Sequence, residues 1–230
     1  MYISRVPLNV ARPNTLRLVA SSYFVHAAVE HCFPPTARRL DEKGRVLWRI
    51  DANPKDKDSL WLYVVSPERP DFTHVADQYG WPAAAPGETK DYSPLLGKIA
   101  QGQSWQFRLK ANPTRLVRTD KGKRPNEKVV GTIQGHATEA QQVDWLRRQG
   151  NVHGFELAVW EDAMPYVTVT QRRKERFSRQ GSTVTISTAV FDGVLTVTDA
   201  SAFARALCQG VGRSKSFGCG LLTIAPWNRR

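Results

Sequence analysis

The sequence predicts an α+β protein of two tandem βαββαβ units. Three observations carry that prediction. Strand and helix signals follow the order strand, helix, strand, strand, helix between Met1 and Tyr79. The run Ala83-Ala84-Ala85-Pro86-Gly87 then interrupts the pattern as a linker would, and a similar order restarts from Gln103. Apolar residues make up 41% of the chain and charged ones 23%, the balance of a globular protein with a proper core.

Residues 1–7 alternate as a strand. Pro13-Asn14 opens a helical stretch that breaks near Ser21-Ser22, runs to Cys32 and stops at Pro34-Pro35. Leu47 to Asp51 and Leu60 to Ser66 read as strands joined by the polar turn Asn53-Pro54-Lys55-Asp56-Lys57-Asp58. Phe72 to Tyr79 is a weak helix, and Glu88 to Tyr92 supplies the fourth strand of a ferredoxin-like (RRM-like) unit. Residues 1–92 therefore form a first domain and 93–230 a second. In the second, Trp105 to Lys110 is a strand. Thr138 to Arg148 is a helix with a capping box (Thr138, Gln141) and a stop at Gly150. Strands follow at Phe155 to Trp160, Tyr166 to Lys174, Thr183 to Val190 and Val194 to Thr198. A helix from Asp199 to Gln209 and a strand from Leu221 to Ala225 close the unit. The repeat is one of topology, since no sequence period is visible.

Charge narrows the function. Lys and Arg total 33 against 21 Asp and Glu, a formal net charge of +12 that points to a polyanionic partner, nucleic acid above all. No run reaches the ~18 apolar residues of a membrane helix, and the opening residues read as a strand, not a signal peptide. Cys32, Cys208 and Cys219 are widely spaced and odd in number, which suits a reducing cytoplasm. The positive charge is clustered. Lys110 to Lys128, with Lys110 and Arg115 at its start, holds seven cations against two acids. Arg172, Arg173 and Lys174 sit at a strand end before a turn from Phe177 to Gly181. That is a basic hairpin of a shape able to grip phosphates across a groove of structured RNA. Its plainer reading is a charged edge strand kept soluble.

The third cationic element is Leu207 to Leu222, where Gly210, Gly212, Gly218 and Gly220 fall within eleven residues around Arg213 and Lys215. Adjacent N–H groups in such a segment suit a phosphate. It is not a Walker loop, because Gln209 stands where the first glycine belongs, and a dinucleotide fingerprint would need the reverse order of strand and helix.

A helical wheel over Ser22 to Cys32 places Phe24, Val25, Ala28, Val29 and Cys32 on a core face. Tyr23, His26 and Glu30 fall on the opposite side, with His31 at the border. Tyr23 and His26, one turn apart, can do acid–base work on an RNA phosphodiester, and the plainer reading of the pair is an ordinary solvated face. His26, His31, His74, His136 and His153 show no metal-ligand pairing, and no acidic cluster resembles a two-metal nuclease. A nuclease built from this chain is then most simply metal-independent and cofactor-free, which requires a substrate 2′-OH and hence RNA. An RNA-binding subunit that does not cut is the rival reading. A DNA-binding regulator fits less well, because no helix-turn-helix pattern is present.

Four stretches taken together extend this. They are Met1-Tyr2-Ile3-Ser4-Arg5-Val6, the Tyr23-x-x-His26 helix, Phe107-Arg108-Leu109-Lys110-Ala111-Asn112-Pro113-Thr114, and Gly210 through Gly220. In combination, from first strand to last, the chain is similar to the CasE family, the CRISPR-repeat endoribonucleases of type I-E systems. The resemblance implies two ferredoxin-like domains and cleavage of a precursor transcript at the base of each repeat stem-loop. The mature guide would be kept with other Cascade subunits. It implies attack by the 2′-OH, leaving a cyclic phosphate and a free 5′-OH. His26 would act as acid or base, and Tyr23 would position the phosphate or share the proton transfer. His31 would add positive charge near the phosphate, where some relatives have lysine. Arg172, Arg173 and Lys174 would grip the stem, and Arg213 and Lys215 with the glycine-rich main chain would hold RNA backbone.

Overall fold

The structure, a computed structural model, describes residues 1–81, 87–118, 130–159, 164–179 and 181–227. Most of the expected linker at Ala83–Gly87, and the part of the basic run beyond Arg118, lie outside them.

The first half runs β1 (Tyr2–Asn9), α1 (Pro13–Val19), α2 (Ser22–Glu30), β2 (Leu47–Ala52), β3 (Ser59–Ser66), α3 (Thr73–Tyr79) and β4 (Glu88–Asp91). Its antiparallel sheet has the order β2-β3-β1-β4, with β1 in register from Tyr2 opposite Ser66 to Asn9 opposite Ser59. The strands read as they do because alternate residues (Val6, Leu8, Leu62, Val64) are buried against Leu18, Val25, Val29 and Val75 of the three helices. The break between α1 and α2 falls at Ser21, whose extended backbone (φ −138°, ψ 117°) re-aims the chain.

The second half contains α4 (Ser93–Leu96), β5 (Ser104–Ala111), β6 (Thr114–Leu116), β7 (Ile133–Gly135), α5 (Glu139–His153) and β8 (Phe155–Leu157). It continues with β9 (Val167–Arg179), β10 (Ser182–Val197), α6 (Ala200–Gln209) and β11 (Leu222–Pro226). The sheet order is β11-β5-β10, with β8 and β9 both on the far side of β10, and β6 and β7 form a ribbon of their own. Mixed α and β structure on antiparallel sheets is as expected.

Two expected boundaries are corrected. α5 does not stop at Gly150 but runs to His153 and is capped by Gly154 in the left-handed region (φ 72°). Gly150 is instead a packing glycine: a Cβ there would lie 2.4 Å from the Phe155 carbonyl oxygen, where β8 doubles back on the helix. The strands expected at 183–190 and 194–198 are one strand, β10. Phe191, Asp192 and Gly193 pair with Leu109, Arg108 and Phe107 of β5, and Arg108 Nε meets Asp192 Oδ1 at 2.6 Å, so the chain stays extended across them.

The halves share a core. Leu47, Val65 and Tyr92 of the first belong to the same buried cluster as Leu109, Phe191, Phe203 and Leu221 of the second. Beside it, Arg49 of β2 is only 2% exposed. Its Nη1 donates to the Arg108 and Leu221 carbonyls at 2.9 and 2.8 Å, and its Nη2 to Asp51 Oδ2 and Thr223 Oγ1, both at 2.8 Å. Nε donates to Asp51 Oδ1 at 2.9 Å, so every guanidinium nitrogen is in use. A buried charge this fully paired is tolerated, while stripping its partners costs about 3–5 kcal/mol.

Candidate functional site

The site gathers where α2 of the first half meets the glycine-rich segment and the β9–β10 hairpin of the second. Val25, Ala28, Val29 and Cys32 form the buried face of α2, as the wheel requires. Phe24 is a correction: it is 54% exposed. The core arc is already filled by its neighbours. Phe24, on the edge next to Tyr23, instead lines a groove with Asn14, Arg17 and Tyr79 of α1 and α3.

Tyr23 is half-buried in a small cluster of its own, against Phe177 of β9, Val184 and Ile186 of β10, and Phe217 and Cys219 of the glycine-rich segment. His26 keeps 32% of its side chain exposed, with Nδ1 3.9 Å from Glu30 Oε1, and Glu30 Oε2 is in turn held by Arg39 Nε at 2.7 Å. His31 lies at the C-cap of α2 on the α3 side. Its ring meets His74 edge to face (centroids 6.3 Å apart), and both line the groove with Phe24, which neither Tyr23 nor His26 lines.

The glycine-rich segment is bent by residues in the left-handed region. Gly210, Gly212, Gly218 and Gly220 all have positive φ, as does Ser214 (φ 62°). Gly218 shows why glycine is needed: besides its φ of 75°, a Cβ would lie 2.5 Å from the Trp48 ring of β2. Val211 N–H donates to the Gly220 carbonyl, and Gly220 N–H to the Lys110 carbonyl, which ties the segment to β5. Its 3-10 turn, Lys215–Phe217, packs on α2.

A cleft of about 670 Å³ opens between this segment, the β6–β7 ribbon and β10. Arg213 is exposed on its rim, while Lys215 Nζ is turned inward to the Gly212 carbonyl at 2.6 Å. Burial, with Arg45 nearby, holds the Lys215 amine below its ordinary pKa. Asn112 and Arg45 also line the cleft, and among the described residues the buried Asn112 Oδ1 and Arg45 Nε have no hydrogen-bond partner. Each is a polar group suited to a polar ligand.

The hairpin leaves the sheet at a β-bulge: Gln171 (φ 48°) and Arg172 together oppose Ala189. Arg173 and Lys174 beyond it are exposed, and Arg172 Nη2 donates to the Ala137 carbonyl at the start of α5. Arg115 is exposed on β6, and Lys110 is ion-paired with Glu175 of β9 (2.7 Å). Tyr23, the base of the hairpin and the glycine-rich segment are thus brought together. His31 faces elsewhere, and Lys110 and Lys215 are engaged by protein acceptors. Arg45 and Glu175 carry no signal in the sequence, and Ser22 marks only the start of a helix there, because their partners lie far along the chain. Asn112 carried a signal, its place in the Lys110-Ala111-Asn112-Pro113 stretch. Among the described residues no group of three His, Cys, Asp or Glu is placed to hold a metal ion.

Against known proteins, the model of the CRISPR-associated protein family matches residues 1–226. The chain belongs to that family. The CRISPR-associated endoribonuclease Cse3 of Thermus thermophilus is 31% identical over 98% of this chain and all of its own length. The Cascade subunit CasE of Escherichia coli is 33% identical over the same shares. Among solved structures, CRISPR endoribonuclease Cse3 bound to a 19-nucleotide RNA superposes with a TM-score of 0.78 at 26% identity, covering 98% of this chain and 100% of that one. Cas6e from Escherichia coli gives 0.65 at 27%, covering 99% and 100%. The family likeness therefore spans both halves of the chain, including the seam where the site lies.

Proposed function

We propose that this protein is the CRISPR-repeat endoribonuclease of a type I-E system, cutting precursor RNA at the base of the repeat stem-loop and remaining with the guide in Cascade. The observation that carries the reading is the seating of the Tyr23–His26 helix directly against the cationic glycine-rich segment and the base of the basic hairpin. A phosphodiester held by the second half is thereby offered to acid–base groups of the first. The endoribonuclease and Cascade names of the full-length relatives agree with it.

In this reading the 2′-OH at the cut loses its proton as its oxygen bonds to phosphorus, and the 5′-oxygen leaves in line and takes up a proton. The products are a 2′,3′-cyclic phosphate and a free 5′-OH. No metal is called for, since the nucleophile is intramolecular and proton transfer by a positioned side chain contributes roughly 10²–10⁴-fold. His26, with Glu30 3.9 Å from its Nδ1, exchanges a proton at one of the two oxygens, and Tyr23, packed by Phe177 and Phe217, meets the phosphate or the other oxygen. Arg173, Lys174, Arg213 and Arg115 supply exposed charge for RNA backbone, while Gly210 and Gly212 shape the segment beside it. Lys110 and Lys215, engaged by Glu175 and the Gly212 carbonyl, back the site from within, Arg172 adds exposed charge on the hairpin, and His31 lines a separate groove. Three free, buried cysteines agree with work in a reducing cytoplasm.

The strand order β2-β3-β1-β4 supports reading residues 1–92 as a ferredoxin-like unit. In 93–230 the order β11-β5-β10, with β8 and β9 beyond, supports a second. The test of the function is incubation with a repeat stem-loop RNA in EDTA. Cleavage should persist, and should stop when the nucleotide 5′ of the cut is 2′-deoxy. Tight binding without cleavage would leave a non-catalytic RNA-binding subunit.

A further inference from the structure

The start of α2 lacks the devices that usually stabilise a helix N-terminus. Ser21 at the N-cap makes no side-chain hydrogen bond to the helix, and the first turn holds no acid. Such an end carries free N–H groups and partial positive charge. A carboxylate from the other half of the chain instead holds the side chain of the helix's first residue. Glu175 Oε2 accepts from Ser22 Oγ at 2.9 Å, and Ser22 is the first residue of α2, directly before Tyr23. Glu175 Oε1 accepts from Thr188 Oγ1 at 3.0 Å and Lys110 Nζ at 2.7 Å. Strand alternation explains the aim: Glu175 and Phe177 share one face of β9, and Phe177 packs with Tyr23. Lys174 and Arg176 point the other way. Burial works to raise the Glu175 pKa, but the Lys110 charge and the hydrogen bonds from Lys110, Ser22 and Thr188 outweigh it. The group is held below the ordinary carboxylate range and is charged near neutrality.

We propose that Glu175 is a positioning residue for cleavage, its carboxylate fixing the start of α2, and with it Tyr23 and His26, to the hairpin that carries Arg172, Arg173 and Lys174. The inference rests on the reading of Tyr23 and His26 as the cleavage pair. It couples stem binding to alignment of that pair, because Lys174 stands on one face of the strand and Glu175, which holds the helix, on the other.

Ser22→Ala deletes one hydrogen bond and leaves Lys110, Thr188 and Glu175 in place. Ser22→Thr keeps the hydroxyl, and Glu175→Gln keeps the shape but not the charge. Each is measured for RNA affinity and for single-turnover cleavage at saturating protein, with a thermal melt to confirm folding. Small misplacements of reacting groups cost rate out of proportion to affinity, so Ser22→Ala should cleave roughly tenfold more slowly, and Glu175→Gln more slowly still. Affinity should stay within about twofold, since no phosphate contact is removed. Ser22→Thr should recover most of the rate. A wild-type rate for Ser22→Ala, a rate loss matched by lost affinity, or no recovery in Ser22→Thr would overturn the inference alone. Failure of the wild-type protein to cut the same RNA would overturn the functional reading, and the inference with it.

Discussion

Two helices of this molecule begin in opposite ways. α5 is capped by its own residues: Thr138 Oγ1 accepts from the Gln141 N–H, and Gln141 Oε1 accepts from the Thr138 N–H, both at 3.3 Å. α2 has no such box and takes its negative group from Glu175, 153 residues further along the chain. A self-capped helix carries its cap with it, a contribution of about 1 kcal/mol. A helix whose first residue is tethered from afar has that contact only when its distant partner is in place, which makes its start a sensor of that partner's position. The helix that supports the sheet has the first arrangement, and the helix that carries Tyr23 and His26 has the second.

The contrast can be broken most severely by removing what α2 carries. His26→Ala should slow cleavage by at least ~10²-fold, as loss of a general acid or base does, with RNA affinity nearly intact. Wild-type cutting by that variant would leave α2 as scaffold only. A smaller effect sharpens the other side. Thr138→Ala should lower stability by about 1 kcal/mol in chemical denaturation, because an N-cap is lost. The single-turnover rate of its folded fraction should not change, since α5 carries no reacting group. The subtlest test is acidity. The Glu175 carboxyl titrates below its ordinary value of 4.5, so its stabilisation is complete above that pH and is lost as pH falls below it. The melting difference between wild type and Glu175→Gln should therefore shrink as pH falls below about 4.5. The difference between wild type and Thr138→Ala, whose cap is neutral, should not follow that titration.

The same division between local and distant causes explains what could be read in advance. The capping box of α5, the break at Ser21 and the alternation of β1 are short-range patterns, and each is found where the residues place it. The position of Tyr23 and His26 off the buried face of α2 was legible in their spacing. Phe24 misled because the wheel counts apolarity and not the width of the core beneath. Lys110 and Lys215 read as free cations, yet an acid on β9 and a carbonyl of the bent glycine-rich segment claim them. Nothing near residue 45 or 175 in the sequence announces what it will face. Those roles come from the way the two sheets meet.

Arg49 sets the terms of that meeting. Its guanidinium closes on main-chain carbonyls of Arg108 and Leu221, acceptors that no substitution on the opposite side can delete. Pulling the sheets apart would break the bonds of Arg49 to Arg108, Leu221 and Thr223 and open a common interior in the same motion. The two topological units are thus one thermodynamic body: heating should melt them in a single cooperative step, and neither should persist once the other has gone.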